Sequence, residues 1–300
     1  YFLRNARQLA SKKNEEAANL YFEADLSKRE IAAIYRCDLS LIISEVEMEL
    51  LISEFRLPAE ILMYLPYLLD RISDMHLANL PSYEERRDFI SIGNFLHEPN
   101  WNAVLYLKEK IWPKIRQKLP DAKMQIYGAY PSEKVYNLHD EKSGFIVNGR
   151  AEDSAQVMQN ARICLAPIRF GAGLKGKLIE AMQNGTPSVT TSTGAEGING
   201  TFPWNGFITD SEEEFIERAV ELYSDHELWK EKQLAGLEII NSRFDRKEFQ
   251  KNFRKRIQDL KNDLVKHRHL NFTGEMLKHH LHRSTYFMSR FIEEKNRNKN

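Results

Sequence analysis

The segment RFGAGLKGKLIEAMQNGTPSVTTSTGAEG, residues 169–197, carries the most distinctive pattern of the 300-residue chain. Its glycines Gly171, Gly173 and Gly176 have the spacing G-x-G-x-x-G, which marks a turn between a strand and a phosphate-binding helix. A dinucleotide-binding turn follows the first strand of its domain, and an acidic residue ends the next strand. Here three apolar runs precede the strand of this turn, and the next run ends in threonines and a serine. NAD binding is therefore the weaker alternative.

Short apolar runs alternate with amphipathic segments from residue 89 onward. We expect strands at 89–93, 123–128, 144–148, 162–168, 187–191 and 206–209. Helical periodicity covers residues 99–119, 131–138, 154–160, 174–184, 211–224, 226–242 and 245–266. The alternation predicts βαβ units in a parallel sheet, in which ligands bind at the carboxyl ends of the strands.

Charged residues follow the glycines at the start of the predicted helix. Lys175 and Lys177 lie in its first turn, where the helix dipole disfavours cations and favours a phosphate. The lysines therefore either meet an anion or point into solvent. Glu180 lies one turn further on, where its carboxylate either accepts hydrogen bonds from a sugar diol or pairs with Lys177.

These residues carry a family resemblance. The segment from Pro167 to Pro187, continued by residues 193–197, resembles the donor-site signature of the group 1 (family 4) glycosyltransferases of bacterial polysaccharide biosynthesis. Residues 89–100 with 103–104 are similar to the opening of the second lobe in these enzymes, and residues 36–47 resemble the closing strand of the first lobe. The similarity covers roughly residues 30–245.

The resemblance implies a GT-B fold, in which two Rossmann-like lobes face each other across a cleft and the second lobe binds a nucleotide sugar. Glu180 would hold the ribose hydroxyls. The other donor-binding positions that the resemblance implies are Gly93, Asn94, Ile146, Val147, Gly171, Ala172, Gly173, Leu174, Thr193 and Gly194. Enzymes of this kind retain the anomeric configuration and need neither a bound metal nor a cofactor besides the donor. We expect a hexosyltransferase.

The sequence departs from the family pattern at the charged positions. Ala172 replaces a glutamate that would contact the donor sugar, Asn94 replaces an arginine, and a lysine about five positions later is missing. A departing diphosphate still needs neutralisation of its charge. The catalytic candidates are Arg169, Lys175 and Lys177.

The predicted organisation is an incomplete first lobe at residues 1–82, a donor-binding lobe at 83–245 and a helical tail at 246–300. A complete first lobe needs about 150 residues, so a fragment is favoured over a reduced lobe, and the start at Tyr1 agrees. The short lobe and Ala172 leave open a non-catalytic nucleotide-binding or scaffold protein. A sugar-nucleotide 2-epimerase is disfavoured because its carboxylate and histidine pattern is not evident.

Composition limits the partners and the compartment. The net charge is zero, but residues 246–300 hold 15 Lys and Arg and 6 Asp and Glu, so this tail carries 15 − 6 = +9. No signal peptide or membrane span is evident, and Cys37 and Cys164 lack CxxC spacing, so we expect a cytoplasmic protein with both cysteines reduced and buried. The expected partners are a nucleotide sugar and a glycan or lipid-linked acceptor, without nucleic acid.

The tail segment 271–295 has an apolar helical stripe beside a face rich in histidine and arginine. One interpretation is a helix that packs on the first lobe. A second is a basic amphipathic helix at the inner, anionic face of the membrane. A third is a metal site formed by His279, His280 and His282 with His267 and His269, for which no supporting cysteine or carboxylate pattern exists.

Overall fold

The computed structural model describes residues 2–13, 21–22 and 24–297. The chain forms two compact units, a first unit of residues 1–66 and 248–300 and a second unit of residues 67–247. The boundaries predicted from the sequence lie at 82/83 and 245/246 instead. Residues 67–82 join the second unit because Leu69 pairs with the chain around Asp245, and the Ile72 N–H donates to Asn241 Oδ1 over 2.7 Å. The basic tail shares the first unit with the N-terminal helices.

The second unit contains a parallel sheet, as predicted. Its strands are β3 Arg87–Ile92, β4 Met124–Tyr127, β5 Phe145–Gly149, β6 Ala161–Ala166, β7 Ser188–Thr190 and β8 Gly206–Ile208. Their order across the sheet is β5-β4-β3-β6-β7-β8. Every predicted strand from residue 89 onward is confirmed.

Helices connect these strands. They are α4 Asp74–Ala78, α5 Glu98–Tyr106, α6 Trp112–Lys118, α7 Glu133–Tyr136, α8 Ser154–Asn160, α9 Gly176–Gln183, α10 Ser192–Ala195, α11 Glu212–Ser224 and α12 His226–Arg243. The predicted helix 99–119 is interrupted by a π-helical turn at Leu107–Ile111. Pro113 follows this turn and has no N–H to continue the regular ladder, which accounts for the local widening.

Both faces of β6 are covered, as is usual for a parallel strand. Ile163 and Leu165 belong to a core cluster with residues of α5, α6 and α11. Cys164, between them, is fully buried and interacts electrostatically with Lys177 of α9. Because successive strand residues point to opposite faces, α5 and α9 lie on opposite sides of the sheet.

The first unit is mostly helical. Its helices are α1 Phe2–Lys13, α2 Asp25–Arg36 and α3 Glu45–Ser53, followed in the tail by α13 Arg246–Asn262, α14 Leu264–Leu270 and α15 Phe272–Arg297. The strand predicted near residues 39–44 is present as β1, Ser40–Ile42, and it pairs in parallel with β2, Leu62–Tyr64, which the sequence did not predict. Cys37 is exposed, so the prediction that it is buried is wrong. Cys37 follows the last turn of α2 and precedes Asp38, which accepts hydrogen bonds from Arg268 of the tail.

The start of α15 packs on α2. Just before it, Arg268 of α14 donates to both carboxylate oxygens of Asp38, which follows α2, over 2.9 and 2.8 Å. Asn271 Nδ2 donates to Tyr35 O over 2.8 Å, and a Cβ at Gly274 would lie 2.2 Å from the same carbonyl oxygen. Only glycine permits this approach of the two helices.

The remainder of α15 extends past these contacts. Its apolar side chains are exposed within the described part of the chain, with Leu281 at 50% and Phe291 at 63% of full accessibility. The predicted packing on the first lobe is therefore present only at the start of the helix. His267 Nε2 lies 2.7 Å from Asp38 O, and the described residues contain no group of three metal-ligating side chains.

Arg86 joins several segments at the edge of the sheet where the strands begin. Its guanidinium is fully buried and donates to Pro81 O, Ala161 O, Asn184 O and Thr186 Oγ1. Burial lowers the pKa of Arg86 to about 10. The side chain thereby joins the segment before β3 to the start of β6 and to the turn after α9.

We predict that Arg86→Met lowers the free energy of unfolding by about 2–4 kcal/mol, because the four acceptors lose their donor inside the protein. Urea unfolding followed by circular dichroism measures the change. Arg87→Met is the matched control, since Arg87 is exposed, and it should change stability by less than about 0.5 kcal/mol. Equal stabilities of the two variants would contradict this role of Arg86.

Candidate donor site

β3 and β6 are neighbours in the sheet, and the later strands are added outward from each of them in opposite directions. Strands β4 and β5 extend the sheet on one side of β3, and β6, β7 and β8 extend it on the other. The loops that leave the carboxyl ends of β3 and β6 therefore diverge and open a crevice, which is where open α/β sheets bind ligands. The predicted loop 93–94 and the predicted glycine turn occupy its two sides.

The loop after β3 is held close to the end of β4. The Gly93 N–H donates to Tyr127 O over 3.1 Å, and the Phe95 N–H donates to Ala129 O over 3.0 Å. A Cβ at Gly128 would lie 2.1 Å from Gly93 O. The glycine at position 128 thus permits the two loops to touch.

The glycine turn leads into the first turn of α9. Gly173 has a φ of +72°, a left-handed conformation that favours glycine. Lys175 is the N-cap residue of α9, and its side chain makes no capping hydrogen bond. The amino end of an eight-residue helix therefore faces the crevice without a side-chain cap, which is the arrangement that favours an anion.

Lys177 crosses the crevice from α9 to the loop after β3. Its Nζ donates to Asn100 Oδ1 over 2.8 Å, and Asn100 Nδ2 donates to Asn94 O over 2.8 Å. A Cβ at Gly93 would lie 2.9 Å from Lys177 Nζ and 2.8 Å from Asn100 Cγ. Gly93 thus leaves space for the lysine and asparagine beside the loop.

Glu180 lies one turn further along α9. Its carboxylate accepts a short hydrogen bond from Ser154 Oγ at the start of α8. Among the described residues no ion pair joins Glu180 to Lys177, because the lysine is directed to Asn100. The structure therefore does not contain the ion pair between Lys177 and Glu180 that was the alternative prediction.

Burial shifts the pKa values of two groups at the crevice, the Lys177 ammonium and the Cys164 thiol. It lowers the pKa of Lys177 to about 8, and the neighbouring Cys164 opposes this shift only partly. It raises the pKa of the Cys164 thiol to about 12, with Lys177 lowering and Glu180 raising that value. Near neutral pH the lysine carries its charge beside an uncharged thiol and an uncharged amide.

The other two cationic candidates have different surroundings. Lys175 folds back along the glycine turn, with its Cε 3.8 Å from the position of a Cβ on Gly171. Arg169 is exposed, donates from Nε to Asn102 Oδ1 over 2.9 Å and lies 4.9 Å from the centre of the Tyr106 ring. Its guanidinium is directed towards α5.

Arg169 and Thr193 line a cavity of about 320 Å³ at the carboxyl ends of β6, β7 and β8, together with Tyr106, Thr209 and Glu212. Gly194 is buried in α10, and its N–H donates to Thr191 Oγ1 over 3.0 Å. Thr191 Oγ1 in turn donates to Ile168 O, which connects this segment to the glycine turn.

The remaining predicted positions lie on the sheet itself. Ile146 and Val147 lie within β5, at the sheet edge, with Val147 in the core cluster. The structure therefore brings Gly93, Asn94, residues 171–175, Lys177 and Glu180 to the crevice. It places Ile146 and Val147 two strands away from β3.

Three residues at the crevice were not predicted from the sequence. Asn100 binds Lys177, Ser154 binds Glu180, and the Tyr67 hydroxyl would lie 3.1 Å from a Cβ on Gly176. Asn100 lies in a segment that carried the family resemblance, which was the available signal. Ser154 and Tyr67 belong to no motif.

Comparisons with known proteins agree with this architecture. Residues 86–225 match the family model of the glycosyl transferases group 1. A Klebsiella pneumoniae protein described as an uncharacterized 44.6 kDa protein in the cps region is 23% identical over 198 residues, which are 64% of this chain and 48% of the relative.

Solved structures share the fold. TarM from S. aureus, solved with fondaparinux, alpha-GlcNAc-glycerol and UDP, has a TM-score of 0.63 at 12% identity, covering 77% of this chain and 46% of TarM. The pneumococcal O-GlcNAc transferase GtfA, solved with UDP and GlcNAc, has a TM-score of 0.58 at 17% identity, covering 81% of this chain and 48% of GtfA.

The family match over residues 86–225 agrees with the resemblance seen in the sequence. The structural likenesses confirm the α/β fold of GT-B type. The chain spans about half the length of each of these three relatives.

Proposed function

We propose that this protein transfers a sugar from a nucleotide-diphosphate donor to an acceptor in glycan or polysaccharide biosynthesis. The observation that carries the proposal is the crevice between β3 and β6, where an uncapped helix start, the Lys177 ammonium and the Glu180 carboxylate lie together. These groups complement the phosphates and the ribose of a nucleotide. The family match over the same residues supports this assignment.

In the proposed complex the diphosphate lies at the amino end of α9. Glu180 accepts hydrogen bonds from the ribose hydroxyls with the carboxylate oxygen that Ser154 leaves available. The bond between the anomeric carbon and the phosphate oxygen breaks, and its electron pair remains with the diphosphate. The acceptor oxygen bonds to the anomeric carbon, and the acceptor proton moves to the departing phosphate oxygen.

The finer features of the reaction are part of the proposal. We infer a hexosyl donor, retention of the anomeric configuration and no requirement for a bound metal. The family resemblance supports each of them. Analysis of product anomers by NMR tests retention, and activity after treatment with a chelator tests metal independence.

We predict that Glu180→Ala weakens binding of a nucleoside diphosphate by about 1.5–3 kcal/mol, because hydrogen bonds to a charged carboxylate are lost. Calorimetric titration with UDP, GDP and ADP measures the effect and identifies the base. Glu217→Ala, an exposed position on α11, is the matched control and should bind like the unchanged protein. If the folded chain binds none of the three nucleotides, the donor site is refuted.

A non-catalytic nucleotide-binding or scaffold protein is the second candidate, favoured by Ala172 at a position that would contact the donor sugar. This candidate is favoured if the chain binds a nucleotide, Glu180→Ala abolishes that binding, and no sugar is transferred to any acceptor tested. Release of the nucleoside diphosphate from a nucleotide sugar in the presence of an acceptor would favour the transferase.

The exposed part of α15 supports a proposal about location. No helix in the described part of the chain is long and apolar enough to cross a bilayer. The side chains of Leu281, Phe287, Phe291 and Ile292 are nevertheless about half exposed or more, and Arg283 and Arg290 lie on the same helix. We propose a cytoplasmic protein whose α15 contacts an anionic membrane, where a lipid-linked acceptor would be reached.

We predict that the chain sediments with vesicles containing anionic lipid and less with neutral vesicles. Phe287→Ser with Phe291→Ser should lower the vesicle-binding constant at least about a hundredfold, because full burial of each apolar side chain contributes about 1.5–3 kcal/mol. Leu234→Ser, at an exposed position of α12, is the control and should not change it. Equal binding of all three proteins would contradict the role of α15.

A further inference from the structure

We propose that the Lys177 ammonium receives the donor diphosphate and that Asn100 is the residue that positions it. This inference rests on the proposed function and names the cation that the site uses. It selects one of the three cationic candidates and adds a positioning residue that the sequence did not indicate.

The Lys177 side chain is partly buried, and its ammonium has no counter-ion among the described residues. Its hydrogen bond goes to the neutral amide of Asn100, and no carboxylate forms an ion pair with it. Removing a charge from water is unfavourable unless the charge is paired. An ammonium has three donors, so two remain for an anion that enters the crevice.

The ammonium also lies close to the loop that follows β3. It lies 2.9 Å from the place of a Cβ on Gly93, at the end of β3, although its own backbone lies in the first turn of α9. Lys177 therefore joins the two sides of the crevice at the point where the loops diverge. A phosphate there meets the ammonium and the amino end of α9 together.

Asn100 fixes the lysine to the loop that follows β3. Its Nδ2 donates to Asn94 O, and its Oδ1 accepts the hydrogen bond from Lys177. Both ends of this amide are therefore used, and together they hold the ammonium at the loop.

The lowered pKa of Lys177, about 8, makes the proposal testable by proton linkage. An anion favours the protonated form, so binding raises this pKa, and protons are taken up when the pH lies above 8. The groups that face the ammonium are the Cys164 thiol on β6 and the Asn100 amide on α5, and the Glu180 carboxylate of α9 interacts with the Cys164 thiol. The thiol titrates near 12 and the amide does not titrate.

The experiment is calorimetric titration of the full chain with UDP, GDP and ADP at pH 7 and pH 8.5, in buffers of different ionisation enthalpy. We expect uptake of roughly 0.7 proton at pH 8.5 and below about 0.2 at pH 7. Affinity should fall about tenfold between pH 7 and pH 9, because the charged fraction of the lysine falls by that factor.

Two variants separate an electrostatic role from a structural one. Lys177→Met should weaken nucleoside diphosphate binding about ten- to hundredfold and remove the proton uptake. Asn100→Asp places a carboxylate beside the ammonium, so it should also weaken binding and remove the uptake while the lysine remains. Lys230→Met, at an exposed position of α12, is the matched control and should behave like the unchanged chain.

The outcomes distinguish this proposal from the proposed function. Binding that Glu180→Ala weakens but Lys177→Met and Asn100→Asp do not, with no proton uptake at pH 8.5, overturns the role of Lys177 and leaves the donor site intact. Absence of nucleotide binding by the folded unchanged chain overturns both. If Lys177→Met fails to fold, proton uptake by the unchanged chain and the Asn100→Asp titration decide.

Discussion

The reversal of the chain between β5 and β6 is the constraint on which the site depends. Parallel strands are joined by right-handed crossovers, so a change of direction across the sheet places successive helices on opposite faces. The loops after β3 and β6 consequently diverge at the carboxyl edge of the sheet. The amino end of α9 is directed into that space because α9 begins directly after the loop from β6. The site is thus a consequence of strand order, and its chemistry is supplied by a few side chains.

Small residues permit the close contacts that give the crevice its shape. Gly128 allows the loop after β4 to touch Gly93 O, and Gly93 in turn leaves space for Lys177 and Asn100. The amide of Asn100 then connects the loop to the lysine through its two ends. The position of the Lys177 ammonium therefore depends on the space left by Gly93 and on the hydrogen bonds of Asn100. A change at any of these residues alters the surroundings of the ammonium.

The sheet could be predicted from the sequence because each buried strand is a short apolar run between turn residues. β2 was not predicted, and its position is fixed by pairing with β1 rather than by a local sequence signal. The prediction for Cys37 failed because apolar neighbours on a helix do not establish that their own position is buried. At the site, the glycine turn and Glu180 could be recognised from local spacing. The contact of Lys177 with Asn100 could not, since 77 positions separate them and only the assembled fold brings them together.

Hydrogen–deuterium exchange of the full chain, with and without UDP, GDP or ADP, tests most directly whether the donor nucleotide occupies the crevice. We expect the nucleotide that binds to slow exchange at amides 93–96 and 171–178, which line both sides of the crevice. Protection confined to residues 206–215 would contradict binding in the crevice. It would place the nucleotide in the cavity that Arg169 and Thr193 line instead.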